Sequence, residues 1–226
     1  MRYPELDIAR GAAVIAMIAY HAVFDIFYFK TGTAPYVGAA IVIASTFIFI
    51  SGICAHISWH RYKGIKKTLW RSAKLAAAAL TITAVSFLLL KGGWIVFGIL
   101  HFFAVVGLVS IPLLLLRNRW LLAIAIVAFA LGTFVNTNPY LLWLLPTSFA
   151  TFDYFPLVPW LGVYALGICF GRIVYKNGKR SFAWHFRSKA LEWVGRHSLL
   201  IYFLHQPIIL AALVLLGFTA PLGIIA

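Results

Sequence analysis

The chain has 226 residues, of which 63% are hydrophobic and only 11% charged, and its formal net charge is +14 at pH 7. These figures exclude a soluble globular domain, because such domains carry about 25% charged residues. We therefore expect an integral membrane protein embedded in a lipid bilayer. The positive charge would suggest a nucleic-acid partner in a soluble chain, but basic loops on one side of a membrane explain it better, so no nucleic-acid partner is expected.

The first apolar stretch, residues 5 to 29, is long enough to cross a bilayer and carries Arg10 near one end and His21 and Asp25 inside. At about 1.5 Å per residue, His21 lies roughly 16 Å beyond Arg10, near the middle of a hydrocarbon core about 30 Å thick. The spacing of four places Asp25 on the helix face of His21, where a carboxylate can hold the imidazole by one nitrogen. Ionisable residues at this depth are functional by default, and the alternative is a polar pair that only joins helices.

Six further membrane spans are predicted, at about residues 37–59, 75–90, 94–116, 120–135, 157–175 and 198–218. The basic run at 60–74 is interpreted as a loop, residues 136–156 as an interfacial or re-entrant segment, and residues 181–196 as a helix lying on the membrane surface. The predicted fold class is an all-α, polytopic bundle of about seven transmembrane helices. Because no internal repeat is found, one transmembrane domain, residues 1–226, accounts for the chain.

The basic residues are distributed very unequally between the two ends of these spans. Seventeen of the 19 Lys and Arg residues fall on one side, and only Lys30 and Lys91 fall on the other. Cytoplasmic loops carry the excess of Lys and Arg, so the N-terminus is predicted inside and the C-terminus outside. The expected location is the cell membrane, with several passes.

Four histidines lie in predicted spans: His21, His56, His101 and His205. A buried imidazole suits proton transfer or acyl transfer, because its pKa lies near the working pH and Asp25 can fix its tautomer. Haem held between His21 and His205 is an alternative, although no His pair repeats on one helix. A proton-coupled small-molecule transporter is another. Cys54 and Cys169 are interpreted as packing thiols, and no metal site is expected.

Several segments resemble known membrane acyltransferases. Arg10, ten intervening residues and His21 resemble the Arg-x10-His signature of the acyltransferase three family, and FIFISG at 47–52 and LEWVGRHSLLIYFLHQPII at 191–209 resemble its second and terminal helices. DIARG, HAVFD, FGILHFFAVVGL and FDYFPLVPWLGVYALGICFGR resemble more closely the catalytic-domain family of heparan-alpha-glucosaminide N-acetyltransferase in its small prokaryotic form. Together the matches extend from Arg10 to Pro207.

The resemblance implies an acyltransferase that moves an acetyl group from cytoplasmic acetyl-CoA to a glycan or glycolipid acceptor on or across the membrane. It assigns His21 the catalytic role and Arg10 a place near CoA. We expect Asp25 to orient His21, His205 to assist, and Arg10, Ser51 or His101 to stabilise the negative charge on the thioester carbonyl. Arg61, Arg172 and Arg196 are candidates for the CoA phosphates. The chain is shorter than the full-length enzymes, so a homo-oligomer is plausible.

Overall fold

The computed structural model describes residues 3–32, 38–62, 65–89, 94–134, 141, 143–146 and 153–218. Regular secondary structure in these ranges is helical, as predicted. In chain order the helices are α1 (Pro4–Thr31), α2 (Gly38–Tyr62), α3 (Ile65–Leu89), α4 (Ile99–Leu115), α5 (Asn118–Leu131), α6 (Leu157–Val174), α7 (Lys189–Arg196) and α8 (Ser198–Leu215). A 3-10 turn, Lys176–Gly178, follows α6.

Seven of the described helices correspond to the seven predicted spans. Helices α1, α2, α3, α6 and α8 are long and apolar enough to cross a membrane, whereas α4 and α5 are apolar but shorter. Many large apolar side chains are exposed on their outer surfaces, including Val42, Leu88 and Leu115. In water such surfaces would be an aggregation hazard, but in a bilayer they face lipid. The prediction of an all-α membrane bundle is confirmed.

Three boundaries differ from the predictions. Helix α3 begins at Ile65, so most of the basic run at 60–74 is helical rather than a loop. Lys and Arg are good helix formers, and their long stems can lie along apolar surface while the charge reaches water. The predicted surface helix at 181–196 is helical only from Lys189, and α4 begins at Ile99 rather than near residue 94. Most of the 136–156 segment lies outside the described residues.

The internal contacts divide the chain into two compact units, the first comprising residues 1–50 and 183–226. In this unit α1 packs against α7 and α8. Gly11 and Gly195 lie where α1 and α7 cross, and a β-carbon added at either would collide with a backbone carbonyl of the other helix, that of Leu191 or Asp7. Glycine therefore allows the two backbones to touch.

The second unit comprises residues 51–182. Here α3 packs on α4, and α5 packs on α6. Gly52 of α2 lies against the backbone of α6 at Tyr164, and the side chains of Phe102, Leu121 and Ile168 are completely buried. That residues 1–226 form one domain stays a prediction.

Candidate functional site in the first unit

The polar side chains of the first unit meet where α1 faces α8. Helix α1 supplies His21 and Asp25, and α8 supplies His205 and Gln206. The imidazole rings of His21 and His205 lie with their centroids 4.9 Å apart, at an angle of 60° between the ring planes. Two histidines 184 positions apart in the sequence are thus in edge contact inside an apolar pair of helices.

Asp25 is buried, with 5% of its surface exposed, and its Oδ2 accepts a hydrogen bond of 2.8 Å from Nε2 of Gln206. Within the described part of the chain no hydrogen bond joins Asp25 to His21, although their spacing allowed one. The short aspartate side chain is instead reached by the longer glutamine side chain from the facing helix. Asp25 therefore ties α1 to α8, and its effect on His21 is not a direct bond.

The hydrogen bond of His205 determines which of its ring nitrogens carries the proton. Nδ1 lies 2.7 Å from the carbonyl oxygen of Tyr202, and a carbonyl can only accept, so Nδ1 carries the hydrogen. In the neutral ring Nε2 then holds a free lone pair. This atom is buried and has no hydrogen-bond partner among the described residues, and the same is true of Oε1 of Gln206. Buried acceptors of this kind are rare in folded proteins, so two on adjacent residues call for a donor from a ligand or water.

His101 belongs to the second unit, and both of its ring nitrogens are occupied. Nδ1 accepts a hydrogen bond of 3.2 Å from the backbone N–H of Gly98, so the ring proton is on Nε2, which donates to Oγ1 of Thr83 at 3.2 Å. The Thr83 hydroxyl in turn donates to the carbonyl of Ile95. These contacts close the first turn of α4, which is the work of a helix cap. A catalytic role for His101 stays a prediction.

The residues predicted to bind the acyl donor lie in both units and have different partners. Arg10 forms an ion pair with Asp7, one turn away, at 3.3 Å. Ser51, in the second unit, accepts a hydrogen bond of 3.3 Å from Nη2 of Arg71. Arg61 is exposed at the end of α2.

Two further arginines of that set contact backbone carbonyls. Arg172 donates to the carbonyls of Leu114 and Leu116, at 2.8 and 2.6 Å, and to Oδ1 of Asn118 at 2.9 Å. It thereby satisfies the free carbonyls at the end of α4. The exposed Arg196 donates from Nε to the carbonyl of Glu192 at 3.0 Å. These contacts hold the end of α4, and the role of Arg172 in binding the acyl donor stays a prediction.

Gln206 is the site residue that sequence reasoning missed. It directly follows His205 in an apolar helix, and a polar side chain in such a helix is a signal in itself. Its partner Asp25 is 181 positions away. The spacing along one helix pointed instead to a pairing between Asp25 and His21.

The chain matches the family model described as heparan-alpha-glucosaminide N-acetyltransferase, catalytic, over residues 2–207. A comparison with curated proteins found no match, and neither did one with solved structures. The matched range contains His21, Asp25, His205 and Gln206, and the family's description points to an acetyltransferase. Since the match covers most of the sequence, the chain belongs to the catalytic-domain family of heparan-alpha-glucosaminide N-acetyltransferase.

Proposed function

We propose that the protein transfers an acetyl group from cytoplasmic acetyl-CoA to a hydroxyl or amino group of a sugar or glycolipid, with His21 and His205 as the catalytic pair. The observation that carries the proposal is the pair of buried acceptors, Nε2 of His205 and Oε1 of Gln206, that lack a donor. An acceptor hydroxyl or amine supplies the missing hydrogen. We also propose that the protein lies in the cell membrane and self-associates.

In this mechanism the acceptor O–H or N–H donates to Nε2 of His205. As the oxygen or nitrogen attacks the thioester carbonyl carbon, its proton passes to Nε2, and the imidazolium is stabilised by its Nδ1–H bond to Tyr202. The carbon–sulfur bond then breaks, and CoA leaves as the thiol after taking this proton. The His21 ring, in edge contact with His205, borders the reacting groups on the α1 side.

Asp25 acts in this scheme through Gln206. Its carboxylate holds the Gln206 amide nitrogen, so Oε1 faces away from the bond and is free to accept from an amine or hydroxyl. Asp25→Asn keeps an oxygen that accepts from Gln206, and we therefore expect it to lower turnover less than loss of either histidine. The donor-binding roles of Arg10, Ser51, Arg61, Arg172 and Arg196 stay predictions.

The haem alternative finds no support in this geometry. A porphyrin bound by both histidines would have to lie between their rings, but His21 and His205 are in edge contact with each other. The transporter alternative differs in its chemistry, because a transporter would not break the thioester bond of acetyl-CoA.

Release of free CoA thiol by the purified protein, with a panel of sugars and glycolipids as acceptors, tests the proposal. His205→Ala should lower turnover by roughly 10²- to 10⁴-fold, as loss of a general base does. His21→Ala should lower it less, because the His21 ring borders the reacting groups without taking the proton. His185→Ala, a change at an exposed histidine outside the helices, is the matched control and should have no effect. The proposal fails if both mutants stay monodisperse and retain near-normal turnover. A wild-type protein that never releases thiol would favour transport.

A further inference from the structure

The second unit contains a cavity of about 140 Å³ bordered by α2, α3, α4 and α6. This is close to the roughly 150 Å³ of a cavity that can hold benzene, and it exceeds the roughly 30 Å³ that one water occupies in the liquid. Two cations, Lys67 and Arg71, line it together with hydroxyl groups. Four of the hydroxyls come from Ser51, Ser58, Thr68 and Ser72.

One of these hydroxyls is an unpaired polar group. Ser72 is only 4% exposed, and its Oγ has no hydrogen-bond partner in the described part of the chain. Across from it is Gly107 of α4, where a β-carbon would collide with this oxygen. A buried hydroxyl without a partner destabilises the fold, so an acceptor that enters the cavity beside Ser72 would stabilise this residue once its hydroxyl turns away from Gly107.

The two cations of the cavity wall, Lys67 and Arg71, are exposed and have no acidic partner among the described residues. The cavity wall includes no acidic residue among its described members. Arg71 donates to Ser51, and the Nζ of Lys67 lies over the Tyr62 ring, 2.9 Å from its centroid. The chain has only five acids, and four have described partners elsewhere: Asp7 with Arg10, Asp25 with Gln206, Asp153 with the Ile99 N–H, and Glu192 with Arg187. Glu5 is buried in the first turn of α1.

We propose that this cavity binds a phosphate group of a ligand. Arg71 and Lys67 supply the positive charge, and the hydroxyls of Ser72 and Thr68 supply neutral donors. Guanidinium groups match phosphate oxygens in geometry and bind them more strongly than neutral donors do. Lys67 and Thr68 also lie in the first turn of α3, where the helix dipole favours an anion.

Two kinds of molecule carry the phosphate that this site fits, a soluble nucleotide thioester such as CoA and the headgroup of an anionic lipid. If the ligand is CoA, the inference rests on the proposed function; a lipid headgroup would bind independently of it. The two sources are told apart by which phosphate-bearing probe depends on Arg71.

The test uses the purified full chain in an uncharged detergent and measures the affinities for inorganic phosphate, CoA and phosphatidylglycerol. Arg71→Gln should weaken binding of at least one probe by about tenfold to a hundredfold, and Ser72→Ala should weaken it severalfold. Lys66→Gln is the matched control, because Lys66 is exposed on the same helix and does not line the cavity. Its affinities should equal those of the wild type.

Loss of CoA affinity in Arg71→Gln assigns the site to the nucleotide, and loss of phosphatidylglycerol affinity alone assigns it to lipid; both support a phosphate site. The inference is overturned if the wild type binds none of the three probes, or if Lys66→Gln weakens binding as much as Arg71→Gln. Should Arg71→Gln not fold, Ser72→Ala carries the test, since removing an unpaired buried hydroxyl should not lower the melting temperature. Thiol release by the wild type and the histidine mutants reports on the proposed function separately.

Discussion

The histidines of the described helices differ in what occupies their ring nitrogens. His101 uses one nitrogen to accept from Gly98 and the other to donate to Thr83. His56 donates from Nε2 to the carbonyl of Tyr175 at 3.0 Å. His205 alone of these three combines a fixed Nδ1–H with a buried Nε2 that lacks a partner. All three residues are histidines, so the hydrogen-bond partners of each ring decide whether the imidazole is structural or a candidate base.

The first prediction concerns His101. His101→Ala removes the side chain that accepts from the Gly98 N–H, so we expect the unfolding free energy to fall by about 0.5–2 kcal/mol, as loss of a helix cap does. If His101 acts only as a cap, the turnover of the protein that remains folded should be unchanged, whereas the catalytic role predicted from the sequence would lower it. Thermal unfolding and thiol release measured on the same sample check both parts.

His101→Gln is the control, because glutamine at the third position of a helix can reach back to the N-cap N–H. It should recover most of the stability. A His101→Gln protein that is stable but releases no thiol would return His101 to the catalytic group.

At the scale of helices, glycines decide how closely two backbones approach. The α1–α7 contact depends on Gly11 and Gly195, each of which faces a carbonyl of the other helix. Both lie in segments that the sequence marked for their family resemblance, DIARG and LEWVGRHSLL. The sequence does not predict which helix each glycine faces. A glycine in a helix indicates that another group approaches closely, but it does not identify that group.

The second prediction is that Gly195→Ala separates α7 from α1. The added methyl group would collide with the carbonyl of Asp7, so one helix must shift. Such overpacking typically costs about 1–3 kcal/mol, and the melting temperature should fall accordingly. The exposed change Ala12→Ser on α1 should alter stability by no more than about 0.5 kcal/mol. Equal melting temperatures for Gly195→Ala and wild type would contradict the close crossing.

The third prediction is a pH dependence at the start of α7. Arg187 donates two hydrogen bonds to the Glu192 carboxylate, at 2.7 and 3.1 Å, and these hold the pKa of Glu192 below its usual value. A carboxyl with a lowered pKa in the folded state adds stability above its unfolded pKa and loses it as the pH falls through the folded value. The contribution of the Arg187–Glu192 pair to the stability of the fold should therefore decrease at acidic pH.

Melting temperatures of wild type and Glu192→Gln, measured from neutral to acidic pH, check this. The wild type should be the more stable protein near pH 7, and the difference should shrink as the pH falls. A difference that stays constant with pH would show that the Glu192 charge contributes nothing.

For the molecule as a whole, apolar length alone predicted seven spans, and seven described helices fall on them. Partners across the bundle were harder to predict. Asp25 and Gln206 meet because α1 packs on α8. The spacing of residues within either helix cannot predict this contact between helices. Arg71 was missed for another reason. It lies in the basic run at 60–74, which the asymmetry of membrane charge already explained, and of that run only Arg61 was named as a candidate site residue.

The last prediction is the orientation in the membrane, on which a cytoplasmic acyl donor depends. Seventeen of 19 basic residues lie at one set of span ends, and Lys66 is among them while Lys30 is not. Both side chains are exposed at helix ends. Single cysteines at these positions, in a chain whose Cys54 and Cys169 are replaced by alanine, can be labelled with a membrane-impermeant thiol reagent.

Lys30→Cys should react in intact cells, and Lys66→Cys should react only after permeabilisation, because the basic side of the bundle is retained in the cytoplasm. The unlabelled cysteine-free chain controls for background. The reverse pattern would place α3's basic end outside the cell. That result would contradict both the predicted orientation and the proposal that acetyl-CoA enters from the cytoplasm, since a charged donor could not reach that end of α3 from the cytoplasm.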